Sequence, residues 1–213
     1  MRVQFLPIAL VSFLSLAQTP VPHELNLRGD RFKPLTYAEL TPAQKTMVDH
    51  LFAGERGGMN GPFNVTLRSP EMGDLAQQLG AQLRFHSALT AKQRELAIIL
   101  TGRDWTAQYE WYAHARLALQ AGIPKDAVDA IAAGKRPTSL GPDEVPVYNF
   151  VTELLKTRQV SDPVFNAARA KLGEKGVVDL TGLVTYYGFV SAMLNIDRYP
   201  LPEGAKPELK PLP

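Results

Sequence analysis

Residues 94–124 read RELAIILTGRDWTAQYEWYAHARLALQAGIP, and this stretch decides the fold class. Just upstream, Thr90-Ala91-Lys92-Gln93 has the form of a capping box, a hydroxyl followed three residues later by a glutamine. It opens a helix with Leu96, Ile99 and Leu100 on one face, which Gly102 is expected to close. A second helix is expected from about Thr106 to Ala121, ended by Gly122. The link Gly102–Trp105 is short, so the two helices should pack antiparallel.

Working outward, the same punctuation recurs. Thr41-Pro42-Ala43-Gln44 caps a helix that should run to Ala53, before the loop Gly57–Pro62. Ser69-Pro70 opens another, with Met72, Leu75, Ala76, Leu79 and Leu83 at core spacing. Pro124 begins a short helix stopped by Gly134, Pro142 one reaching about Arg158, and Asp162-Pro163 one closed by Gly173. An apolar segment from Val177 to Asn195 makes the last, with Gly182 and Gly188 inside it, marking either close helix approach or a less regular helix. No run alternates long enough for a half-buried strand. The chain therefore reads as an all-α bundle of about seven or eight helices.

The 213 residues are 45% hydrophobic and 21% charged, with a formal net charge of +2 and no cysteine. Acids and bases are interspersed, so no basic stripe suited to a phosphate backbone is present and no nucleic-acid partner is expected. Without a thiol there is no disulfide, thiolate metal site, lipidated cysteine or thiol peroxidase cycle. The first residues read as an export signal: Met1-Arg2, an apolar run from Val3 to Leu16, and the small-x-small site Ser15-Leu16-Ala17. The expected division is signal 1–17, linker 18–40, helical domain 41–200 and irregular tail 201–213, the tail free to lie over a neighbour. A periplasmic or secreted location follows, with no stable membrane anchor after cleavage. Asn64-Val65-Thr66 matches a glycosylation sequon, a short pattern with little specificity.

The chemistry-bearing residues sit in the quoted stretch. Glu110 and His114 are one helical turn apart on one face, the minimum hardware for general acid/base work. The same spacing also serves an ordinary surface ion pair. Trp105, Tyr109, Trp111 and Tyr112 surround the pair and would lower the local dielectric. Glu95 on the preceding helix comes to a height similar to that of Glu110 in an antiparallel hairpin. Arg103 or Arg84 would grip a substrate carboxylate, and His86 would reach the same pocket, with solvated surface as the plain alternative for each. No close pair of histidines and no HExxH spacing occurs, so no metal is expected.

Residues from about 61 to 200 resemble the carboxymuconolactone decarboxylase family, within the alkylhydroperoxidase-like superfamily. The resemblance is carried by the opening stretch and by LTGLVTYYGFVSAMLNIDRYPLP at 180–202. The superfamily's peroxidase branch has a Cys-x-x-Cys-x-x-x-His helix with a glutamate nineteen residues before the histidine. Here His114 takes the histidine place and Glu95 the glutamate place at that separation, while Ala107 and Glu110 stand at the cysteine positions. The resemblance implies an alkylhydroperoxidase-like bundle and proton transfer without a cofactor on a small carboxylated or lactone substrate. Glu95, Glu110 and His114 would be catalytic, with Arg103, Trp105, Trp111 and His86 binding substrate. It also implies a symmetric homo-oligomer, trimer or hexamer. A silent small-molecule binder and a non-thiol antioxidant, the latter a peroxiredoxin-type role by inheritance, stand as alternatives.

Overall fold

The computed structural model describes residues 23–211, so the expected export signal lies outside the described residues. Among these residues the protein is all-helical. A 3-10 turn at Tyr37–Glu39 precedes α1 (Pro42–Ala53), α2 (Phe63–Thr66), α3 (Pro70–Phe85), α4 (Ala91–Asp104), α5 (Gln108–Gln120), α6 (Lys125–Ala132), α7 (Val145–Thr157) and α8 (Asp162–Asp197). Helix α2 is a single turn between the expected loop Gly57–Pro62 and the helix opened by Ser69-Pro70, where no element was expected. Gly173 adopts φ 70° inside α8, so the expected break between two helices is there as a kink in one element.

The capping boxes at Thr41 and Thr90 form as the residue pattern requires. Gln44 N–H donates to Thr41 Oγ1 while Thr41 N–H donates to Gln44 Oε1, and Gln93 and Thr90 do the same. Helix α4 is the centre of the bundle, packed by α5, α7 and α8. It is buried nearly all round, Leu96, Ala97, Ile98 and Ile99 having no exposure, so its expected single apolar face is an underestimate.

Gly102 does not close α4. The helix continues to Asp104, and its end is made by Trp105 and Thr106. Thr106 takes φ 47°, with Thr106 N–H donating to the Arg103 carbonyl and Ala107 N–H to the Gly102 carbonyl. That is a Schellman closure with a threonine in the left-handed position usually given to glycine. Gly102 instead lets α5 approach: a Cβ there would stand 3.3 Å from Glu110 Cγ. Gly188 and Gly182 are contact points of the same kind, against Trp105 and Leu83.

Helix α3 corrects the expected core face. Leu83 is buried, but the inward positions above it are Gly73, Gln77 and Gly80. Met72, Leu75 and Leu79 face outward, Leu75 being 69% exposed. The inner side has no room for them: a Cβ on Gly80 would fall 2.1 Å from Tyr186 Oη and one on Gly73 2.8 Å from Met47 Sδ.

The segments flanking the bundle are fastened to it. Residues 23–36 form no helix or strand, as a linker would, but Leu25 is buried with Leu40, Met47, Leu51 and Phe63 in a second core cluster. This piece is therefore not a free spacer. Asp197, at the end of α8 and without exposure, accepts from Phe32 N–H at 2.8 Å, Asp30 N–H at 3.2 Å and Asn64 Nδ2 at 3.4 Å. Asn64 is itself fully buried, so the sequon is closed to modification. The tail folds over its own chain: Leu209 is buried, and it exchanges backbone hydrogen bonds with the Gln108 side chain. Helix α8 is long and apolar enough to cross a membrane by length and composition alone, yet over half of its most apolar stretch is buried inside this bundle.

Asp197→Ala leaves the Asp30 and Phe32 N–H groups without their side-chain acceptor and removes the longer of two hydrogen bonds made by the Asn64 amide, which keeps the Phe32 carbonyl. We expect a loss of about 2 kcal/mol in urea unfolding, with the helical circular dichroism signal retained. An unchanged midpoint would mean that the hydrogen bonds to Asp197 contribute nothing to stability.

Candidate acid/base site

Glu95 projects from the middle of α4, and Glu110 and His114 from the first two turns of α5. The Schellman turn reverses the chain, and Gly102 lets the helices close, so both carboxylates reach one imidazole. His114 Nδ1 lies 2.6 Å from Glu95 Oε2, and His114 Nε2 lies 3.2 Å from Glu110 Oε1. All three side chains are buried. A carboxylate only accepts, so Glu95 takes the Nδ1–H bond, fixes the ring and leaves Nε2 as the exchangeable nitrogen. Glu110 Oε1 faces Nε2 outside the hydrogen-bonding direction and has no hydrogen-bond partner among the described residues.

Burial pushes the Glu110 carboxyl above the ordinary glutamate range, and the neighbouring Glu95 carboxyl adds to the rise. His114, Arg84 and Arg56 oppose it. An elevated carboxyl beside the free imidazole nitrogen can hold a proton and pass it on. Tyr187 covers the ring edge-on, at 5.2 Å between centroids and 80°. Burial raises the Tyr187 phenol far above its usual value, so it stays neutral. Tyr186 is also raised by burial, and its Oη accepts from Arg56 Nη2 at 3.1 Å.

The other expected site residues disperse. Trp111 is buried next to Glu110, but its indole Nε1–H is taken by Glu208 Oε2 of the tail at 3.1 Å. Trp105 is 44% exposed and lies against Gly188 on α8. Arg103 is buried and turns to a different cavity, between α4, α6 and α7. His86 does not reach the site: it is exposed and pairs with Glu55 at 2.5 Å. Arg84 does act on Glu110 through its charge, as does Arg56. Arg56, Tyr186 and Tyr187 were not singled out by sequence reasoning. The two tyrosines lie in the quoted 180–202 stretch, where an apolar setting hides their role. Arg56 sits 130 residues from its tyrosine partner, and no local pattern marks it.

The elevated Glu110 carboxyl has a thermodynamic signature. The folded chain keeps this proton to higher pH than the unfolded chain, whose glutamate titrates near 4.5. Stability from this group is therefore greatest at acid pH and falls as pH rises through the elevated value. Glu110→Gln should flatten that decline, raising Tm relative to the parent more at about pH 8 than at about pH 4. Parallel Tm profiles would contradict the assignment.

No curated protein matches the chain. A family model described as carboxymuconolactone decarboxylase family matches residues 70–153. That span begins at the first residue of α3, ends within α7 and holds Glu95, Glu110 and His114 together with Arg84. Arg56, Tyr186 and Tyr187 come from outside it. Over residues 70–153 the chain is thus similar to the carboxymuconolactone decarboxylase family.

Proposed function

We propose that this protein is an exported proton-transfer enzyme of lyase or isomerase type, acting on a small carboxylated or lactone substrate. The observation that carries this reading is the buried relay, Glu95 to His114 Nδ1 and Glu110 to Nε2. In a decarboxylation, the bond from carbon to the leaving carboxylate breaks, CO2 departs and the electron pair remains as an enolate. His114 Nε2–H then delivers a proton to that carbon, and Glu110 returns a proton to the ring. Glu95 holds the tautomer throughout. In an isomerisation the same nitrogen removes and restores the proton. Arg84 and Arg56, whose charges reach Glu110, are the groups that would offset the negative charge of the substrate carboxylate and the enolate. Thiol chemistry has no place here, since Ala107 and Glu110 stand where the peroxidase branch carries cysteines.

His114→Ala should abolish turnover of a lactone and keto-acid panel while circular dichroism stays unchanged. Arg84→Gln should raise KM for carboxylated members at least about tenfold with a smaller change in kcat. Retained turnover in the histidine variant would overturn the reading. A second reading, a binder without turnover, draws support from enclosure: the relay residues line neither the cavity between α4, α6 and α7 nor the one beside Tyr199. Ligand binding by a parent that turns over no panel member would favour it.

The assembly that accompanies this function is a homo-oligomer. Its support is the outward stripe of Met72, Leu75 and Leu79 on α3, an apolar face left exposed among the described residues. Leu75→Glu combined with Leu79→Glu should lower the mass seen by light scattering to that of one chain. The same mass for parent and variant would remove this face from the assembly.

A further inference from the structure

A second site stands apart from the relay. A cavity of about 590 Å3 lies between the end of α4, the end of α6, one face of α7 and the start of α8. Its volume falls within the range that holds small organic ligands. Leu100, Ile131, Tyr148, Leu155 and Val164 make the apolar part of its lining. Arg103, Lys135, Arg136 and Lys156 line it too, against only Asp104 and Glu153. The Glu153 carboxylate is already engaged by Ser161 N–H and Oγ, at 3.1 and 3.2 Å. Asp104 lies in the fields of Arg103 and Arg158. Arg136 is held over the Tyr148 ring at 4.9 Å and donates to Asn149 Oδ1 at 2.8 Å, which fixes it in the wall.

Arg103 is the distinguishing group. Its side chain is only 5% exposed. Nη1 donates to Thr106 Oγ1 at 3.3 Å, whereas the buried Nε has no partner among the described residues. A buried guanidinium with an unmet donor is costly, and its charge, on the wall of a cavity richer in cations than in acids, attracts a carboxylate. The turn that presents it is the same Schellman closure that joins α4 to α5, so the guanidinium sits on rigid backbone.

We propose that this cavity is a binding site for a monocarboxylic acid with an aromatic or branched aliphatic body. The carboxylate accepts from Arg103 and the body lies on Leu100, Ile131 and Tyr148. The site is independent of the acid/base relay and places a carboxylate-recognising pocket on the opposite side of the α4–α5 turn.

The test is isothermal titration calorimetry of the full chain with benzoate, with benzyl alcohol and inorganic phosphate as controls. Saturable one-to-one binding of benzoate is expected, with benzyl alcohol and phosphate each at least about tenfold weaker. Arg103→Lys should weaken benzoate at least about tenfold, because a point charge replaces the fork. Thr152→Phe fills the cavity from α7 without touching Arg103, and keeps the test valid if the arginine variant unfolds. It should abolish binding. His114→Ala should leave binding unchanged, which separates this site from the relay. The proposal is overturned by absence of benzoate binding, by phosphate binding as tightly as benzoate, by binding that survives Thr152→Phe, or by binding lost in His114→Ala.

Discussion

The close contact of α4 and α5 at Gly102 is the constraint on which the rest of the site depends. A side chain there would press on Glu110 Cγ at 3.3 Å and on the backbone of Trp111. With hydrogen in its place, the antiparallel pair closes until Glu95 and Glu110 bracket one imidazole. The turn that makes this possible puts Thr106 at φ 47°. A β-branched residue in that region is strained. The strain is offset by the two Schellman hydrogen bonds and by the contact of Thr106 Oγ1 with Arg103. One local arrangement therefore brings the relay together on one side and aims the Arg103 guanidinium on the other.

Burying two carboxylates and an imidazole is expensive unless they share charge and protons. The relay meets this demand by unequal treatment of its two acids. Glu95 is bonded to the ring at 2.6 Å, whereas Glu110 is left with an unpartnered oxygen and an elevated carboxyl. That asymmetry is what the proposed roles, Glu95 orienting the ring and Glu110 carrying a proton, rest on. Arg84 and Arg56 add positive charge without forming a salt bridge to Glu110, so they temper its elevation without quenching it.

Much of what surrounds the relay arrives from distant parts of the chain. Tyr187 on α8 covers the ring, and Tyr186 holds Arg56 from the loop after α1. Glu208 in the tail takes the Trp111 indole, and Asp197 ties the segment before α1 to the end of α8. The family-matched span supplies the acids and base. The flanking segments add to the enclosure in which burial raises the Glu110 carboxyl.

Several features needed only local rules. Reciprocal capping bonds at Thr41 and Thr90, the one-turn spacing of Glu110 and His114, the glycine break at 173 and the absence of thiol chemistry all depend on residues a few positions apart or on composition. The helical class followed from them. The inward face of α3, the true end of α4, and the separation of His86, Trp105 and Arg103 from the relay did not. In each case a helix or a side chain had two physically sound options, and the neighbour decided. Tyr186 and Met47 occupy the space that would have received an α3 apolar face. Glu55 captures His86. The i to i+4 geometry of a helix is carried by adjacent residues, whereas the side of a helix that becomes buried depends on chain segments far away in sequence. Hence the Glu110–His114 pair was determined by sequence alone, while its burial, its guanidinium neighbours and its cover were decided only by the tertiary structure.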